Sequence, residues 1–124
     1  MRLILDTQIL IWLPPGDPRL KRSVAEKILA DETELFVSAV TACEFTELRE
    51  RKRIGAPYDI AELAERFAFA VLDLPANVWA DLAALPPIHR DPADRMLISH
   101  ARMAGLTLVT ADKTIRRYPV PTLW

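Results

Sequence analysis

Residues 2–13 read RLILDTQILIWL. Leu3, Ile4 and Leu5 make a continuous apolar run, the pattern of a strand buried on both faces rather than of one with a wet side. Ile9 to Leu13 resumes the run, and Pro14, Pro15 and Gly16 end it, so TQILIWL reads as a short helix. Between strand and helix stands a single carboxylate, Asp6. A charge in that position is costly unless something repays its burial, so its purpose has to be found elsewhere in the chain.

Outward from this opening, the pattern alternates. Asp17 and Pro18 look like an N-cap and first helical residue, predicting a helix to about Ala30. LFVS (35–38) is a second strand, and Ser38 caps a helix running to about Arg53. A helix is expected over about 60–69, a strand at AVLDL (70–74) and a helix near Trp79 to Leu85. In DPADRMLISHARMA (91–104), Asp91 is the cap, Pro92 the first residue and Gly105 the stop. LTLVT (106–110) is a fourth strand. The proline-containing tail YPVPTLW adds at most a short edge strand. Strands alternating with helices imply an α/β fold with a mostly parallel sheet covered on both faces. Ligands in such sheets bind beyond the carboxyl ends of the strands.

The composition sets bounds. The 124 residues suit a single domain spanning 1–124 with one core. A net charge of −1 gives no global field to attract nucleic acid, although local basic patches can serve. One cysteine, Cys43, excludes an internal disulfide and a cysteine-clamped zinc site, and fits a reducing compartment. The N-terminal run is broken by Asp6, Thr7 and Gln8, so no signal peptide is read, and no apolar stretch has the length of a membrane span. A cytoplasmic protein is expected.

Four acids occupy positions where chemistry is expected. Asp6 directly follows the first strand, and Asp112 follows the fourth in LVTAD. Either could be no more than a helix cap. On the helix after Ser38, a step of about 100° per residue places Glu44 within the apolar arc that holds Val40, Thr41, Phe45 and Leu48. A carboxylate there needs a partner, either one of the arginines or a bound cation. Asp94 sits at the third position of the DPADR helix, where a capping box with Asp91 is the structural alternative. Brought together, the four would raise one another's pKa values unless a cation neutralised them. Oxygen-only ligation suits Mg²⁺ or Mn²⁺, which can activate a water and stabilise the leaving oxygen of a phosphodiester.

LILDTQILIW, SAVTACEF, HRDPADRMLISHA and LVTAD resemble, in order and spacing, the four blocks of the PIN-domain ribonucleases, and in particular the VapC-type toxins of type II toxin–antitoxin modules. The likeness spans nearly the whole chain, including its LW ending. It implies a three-layer α/β/α sandwich and a Mg²⁺- or Mn²⁺-dependent endoribonuclease that hydrolyses RNA with a metal-activated water. It also implies a homodimer and a cognate antitoxin that blocks the acidic pocket. Block by block, Asp6, Glu44, Asp94 and Asp112 take the places of the catalytic, metal-holding acids. Thr110 matches a hydroxyl that flanks the site. Arg95 matches a basic position expected to pair with an acid or a phosphate, and Asp91 matches the helix cap. The chain departs from many relatives at Gln8, Cys43 and Leu48, where histidine, tryptophan and lysine are common. Those departures bear on substrate contacts, not on the acids.

The basic run RERKR (49–53) lies at a predicted helix C-terminus, where cations complement the dipole. Arg49, Arg51, Lys52 and Arg53, with Arg116 and Arg117 from another segment, are also candidates for contact with an RNA backbone. His89 and His100 read as surface or hydrogen-bonded residues, and Trp12, Trp79 and Trp124 as core or interface. Two other functions compete. One is a PIN-like RNA- or protein-binding module that has lost catalysis. The other is an aspartyl-phosphate enzyme or receiver domain, which Gln8 and the lack of an early acidic pair disfavour.

Overall fold

Leu3 and Leu5 turn to one side of the first strand and Ile4 to the other, and all three are completely buried. This is the physical content of the unbroken apolar run, and it fixes the layers. The computed structural model describes residues 1–124. Its elements run β1 (Arg2–Leu5), α1 (Thr7–Trp12), α2 (Arg22–Leu29), β2 (Glu34–Ser38), α3 (Ala39–Glu50), α4 (Ile60–Phe67), β3 (Phe69–Leu72), α5 (Val78–Ala84), α6 (Pro92–Ala104), β4 (Thr107–Val109) and β5 (Thr122–Leu123). A single 3₁₀ turn, Ile115–Arg117, precedes β5.

The five strands form one all-parallel sheet in the order β3-β2-β1-β4-β5. On one face, Leu3 and Leu5 pack with Ile9 and Leu10 of α1, Val24 and Ile28 of α2, Phe45 of α3 and Leu63 of α4. On the other, Ile4 and Leu108 pack with Leu97, Ile98 and Ala101 of α6 and with Ile115 and Tyr118. This is the expected α/β/α sandwich. The chain winds from β1 outward to β3, then returns to the far side of β1 for β4. The strand order therefore reverses between β1 and β4, and a crevice opens there at the carboxyl ends. No helix is long and apolar enough to cross a membrane.

α6 keeps its expected bounds. Asp91 Oδ1 accepts the Ala93 and Asp94 amides, Pro92 is the first residue, and Gly105 closes the helix at φ 65°. Other expectations need correction. The helix predicted from Asp17 begins only at Arg22, because Arg19 captures the Asp17 carboxylate through its amide at 2.9 Å and its Nη2 at 2.7 Å. A side chain held in a local turn does not cap a helix. α3 stops at Glu50 rather than Arg53, and Lys52 turns the chain away at φ 56°. Trp79 is not core: it is 69% exposed. Trp12 and Trp124 do pack together, with ring centroids 6.1 Å apart.

Candidate active site

The register of the central strands builds the site. Leu5 pairs with Val109, so Asp6 and Thr110 leave the sheet side by side at its switch point. The Asp6 amide still reaches the Val109 carbonyl at 3.1 Å. Asp6 Oδ1 accepts the Thr7 amide at 2.7 Å, and Oδ2 accepts the Thr110 hydroxyl at 2.7 Å. Both residues are buried. Burial pushes the Asp6 carboxyl above its usual range. The Thr110 and Thr7 hydrogen bonds work against that, and the charges of Glu44 and Asp112 add to it.

Asp6, Glu44, Asp94 and Asp112 all line one cleft of about 390 Å³, together with Thr7, Gln8, Ile11, Leu48, Asp91 and Ala111. No lysine or arginine lines it. Glu44 sits at the edge of the buried face of α3, which is centred on Thr41 and Phe45. It is half-buried and makes no ion pair, so the alternative of an arginine partner is not what the fold adopts.

Asp94 makes no capping box. The Asp91 amide is taken by His89 Nδ1 at 3.0 Å, and the Asp94 carboxylate instead meets His89 Nε2 at 3.0 Å. Its carboxyl is pushed up to about 7, first by burial and then by the charges of Asp6 and Asp91, with His89 acting in the opposite sense. Asp112 serves locally as well: its Oδ1 accepts the Thr114 amide at 2.7 Å and the Ile115 amide at 3.2 Å. Its Oδ2 lies 3.8 Å from His89 Nε2.

Arg95 is engaged differently from the expectation. Its guanidinium donates to the carbonyls of Pro86 at 3.0 Å and Leu82 at 3.1 Å and to the Tyr118 hydroxyl at 3.2 Å. The helical step from Asp94 turns Arg95 away from the cleft, so it meets neither an acid nor the cleft. The six basic candidates also lie outside the cleft lining. Arg51 pairs with Glu47 at 3.0 Å, and Arg49 reaches Glu50 at 3.3 Å and the Ala56 carbonyl at 3.2 Å. Lys52, Arg53, Arg116 and Arg117 are exposed. The residue that sequence reasoning undervalued is His89. Its spacing of two residues to Asp91 and five to Asp94 was the available signal, since a histidine just ahead of a capped first turn can reach both.

The donor set fits a hard divalent cation. Two buried or half-buried carboxyls are driven above their usual range partly by neighbouring acids, and no basic side chain of the lining offsets them. Asp6, Glu44 and Asp94, with Asp112 at the rim, could hold such an ion. Its charge would favour the ionised forms of Asp6 and Asp94, whose carboxyls are raised without it.

The chain is similar over its whole length to known proteins. The chain is 30% identical to Ribonuclease VapC22 of Mycobacterium tuberculosis (strain ATCC 25618 / H37Rv), over 98% of each chain. The structure is similar to VapBC2 from Rickettsia felis bound to a DNA fragment from their promoter, at TM-score 0.74 and 17% identity, covering 99% of this chain and 98% of that one. It is also similar to FitAcB from Neisseria gonorrhoeae, at TM-score 0.63 and 21% identity, covering 98% and 96%. At those identities the solved structures speak to the fold. The PIN-domain family model matches residues 3–121, and the chain belongs to the PIN-domain family.

Proposed function

We propose that this chain is a divalent-metal-dependent endoribonuclease acting as the toxin of a toxin–antitoxin pair. The observation that carries the reading is the convergence of Asp6, Glu44, Asp94 and Asp112 on one cleft at the sheet's switch point, with no basic side chain in its lining. The whole-chain likeness to a protein named as a ribonuclease supports RNA as the substrate.

A Mg²⁺ or Mn²⁺ ion in the cleft would supply Lewis-acid stabilisation of phosphate charge and a more acidic water. The chain's own residues do the rest. Asp6 and Asp94 would both offer oxygens to the ion, one placed by the strand register and the other by the first turn of α6. Glu44 adds a third from α3. Thr110 holds Asp6 Oδ2 in place. Asp112 stands at the rim, where it can orient water or meet the cation. Exposed Lys52, Arg53, Arg116 and Arg117 are the groups free to track an RNA backbone.

The antitoxin is a proposed partner, supported by solved neighbours that are VapBC assemblies, and a second copy of the chain is proposed from the resemblance to VapC-type toxins alone. An apolar hollow lined by Val40, Cys43, Leu74 and Met96 adjoins Glu44 and offers such a partner a foothold beside the acids.

The test is cleavage of total cellular RNA by the purified chain in Mg²⁺ or Mn²⁺. Discrete fragments that vanish with EDTA, and with the Asp6→Asn, Asp94→Asn double variant, are expected. Loss of one acid should lower the rate by on the order of a hundredfold or more. RNA binding without turnover in either metal would favour the catalytically inactive binding module instead.

A further inference from the structure

The imidazole of His89 lies against Asp94 and Asp112 of the acidic cleft, with both nitrogens in contact. Nδ1 accepts the backbone N–H of Asp91 at 3.0 Å. An N–H cannot donate to a nitrogen that already bears hydrogen, so Nδ1 carries its lone pair and the ring hydrogen is on Nε2. Nε2 is 3.0 Å from Asp94 Oδ2, a close contact between ring and carboxylate within donor reach, and 3.8 Å from Asp112 Oδ2, beyond that reach.

One nitrogen of His89 and one oxygen each of Asp94 and Asp112 lie within 4.8 Å of one another, a spacing that on its own resembles a three-ligand metal site. The hydrogen positions argue otherwise. To bind a cation through Nε2, the ring would have to move its hydrogen to Nδ1 and set it against the Asp91 N–H. A ligating histidine donates its other N–H to an acceptor, whereas here the other nitrogen is itself the acceptor.

The loop that carries the ring is braced. The Tyr118 hydroxyl oxygen accepts the His89 amide at 2.6 Å, the Ile88 amide at 3.2 Å and Arg95 Nη1 at 3.2 Å. Arg95 also grips the Pro86 and Leu82 carbonyls. Tyr118 is buried. Arg95, next to Asp94 in the chain, thus anchors the loop from which His89 reaches back to Asp94.

We infer that His89 is a positioning residue and not a ligand: it donates Nε2–H to Asp94 Oδ2 and leaves Oδ1 as the oxygen offered to the cation. The inference rests on the proposed reading of Asp6, Glu44 and Asp94 as metal-holding residues. Arg95 and Tyr118 support the same arrangement from behind.

The test uses the full chain with Mn²⁺ as probe, read by paramagnetic resonance titration for affinity and by pulsed resonance for directly bound nitrogen. The wild type should bind Mn²⁺ with no directly coordinated ¹⁴N coupling. His89→Ala should weaken binding by about 10- to 100-fold, the usual cost of losing an outer partner of a ligand. His89→Gln, whose amide can still donate, should recover most of that loss. Circular dichroism of both variants checks the fold, and the nitrogen measurement on the wild type needs no variant at all. A strong ¹⁴N coupling that disappears in His89→Ala would make His89 a ligand and overturn the inference while leaving the metal site intact. Unchanged affinity in His89→Ala, or His89→Gln as weak as His89→Ala, would overturn it equally. No Mn²⁺ binding by the wild type would overturn the metal-dependent reading together with the inference.

Discussion

Asp94 stands near the border of ionisation at neutral pH. Its carboxyl is pushed up to about 7 by burial and by its acidic neighbours, and Asp6 is raised for the same reasons. Between the ordinary carboxylate range and those raised values, the folded chain holds more protons than the unfolded chain. Stability from Asp94 is therefore present at acid pH and lost as pH rises through about 7, and Asp6 acts in the same sense. In EDTA, the melting temperature of the wild type relative to Asp94→Asn should fall between about pH 5 and about pH 8, and Mg²⁺ should remove the fall. The paired comparison matters, because buried His100 is held below its usual value by desolvation and acts in the opposite sense. A difference that stays flat with pH in EDTA would count against the electrostatics of the cleft. The acids themselves were legible in sequence because each sits at a strand end or in a helix's early turns. The surroundings of Asp94 were not. Whether a carboxylate in a first turn folds back as a cap or meets a histidine depends on the path of the preceding loop, and that path is set by Tyr118, which lies 29 positions beyond His89.

Element boundaries follow the same logic of local against distant partners. α6 could be read in advance because its signals, Asp91, Pro92 and Gly105, are satisfied within the helix itself. The start of α2 could not, because Arg19 holds Asp17 in a turn and the helix begins without a side-chain cap. Two substitutions probe this level. Gly105 is at φ 65° with open space where a Cβ would stand, so Gly105→Ala should cost about 1–2 kcal/mol from backbone strain alone, measured by urea unfolding. Ser38 is fully buried, accepts the Val40 amide at 3.2 Å and meets His100 Nδ1 at 2.8 Å. Ser38→Ala removes the cap of α3 and leaves His100 without that partner, so a loss of about 1–3 kcal/mol is expected in the same measurement. A loss below about 0.5 kcal/mol would show that the pair contributes little.

At the level of the whole molecule, residues from four distant parts of the chain become neighbours because the sheet reverses its winding between β1 and β4. The alternation of strands and helices made the parallel sheet and its covering on both faces legible, and the likeness to PIN-domain proteins pointed to the same α/β/α form. Neither composition nor a net charge of −1 indicated where basic residues would lie relative to the cleft. Arg49 and Arg51 prove to be paired with acids of α3, Glu50 and Glu47, while Arg116 and Arg117 remain exposed without side-chain partners. Replacing Arg116 and Arg117 with glutamine should weaken RNA binding and reduce its salt dependence by about one unit of slope for each phosphate no longer neutralised, with turnover of bound RNA little changed. An unaltered salt slope would assign backbone binding to other residues. The most direct measurement on the metal centre itself is anomalous scattering from a crystal of the full chain soaked in Mn²⁺. A peak within roughly 2 Å of carboxylate oxygens of Asp6 and Asp94, with His89 Nε2 beyond bonding distance, is the expected result. A cleft without a Mn²⁺ peak, or a peak bonded to His89 and away from Asp6, would contradict it.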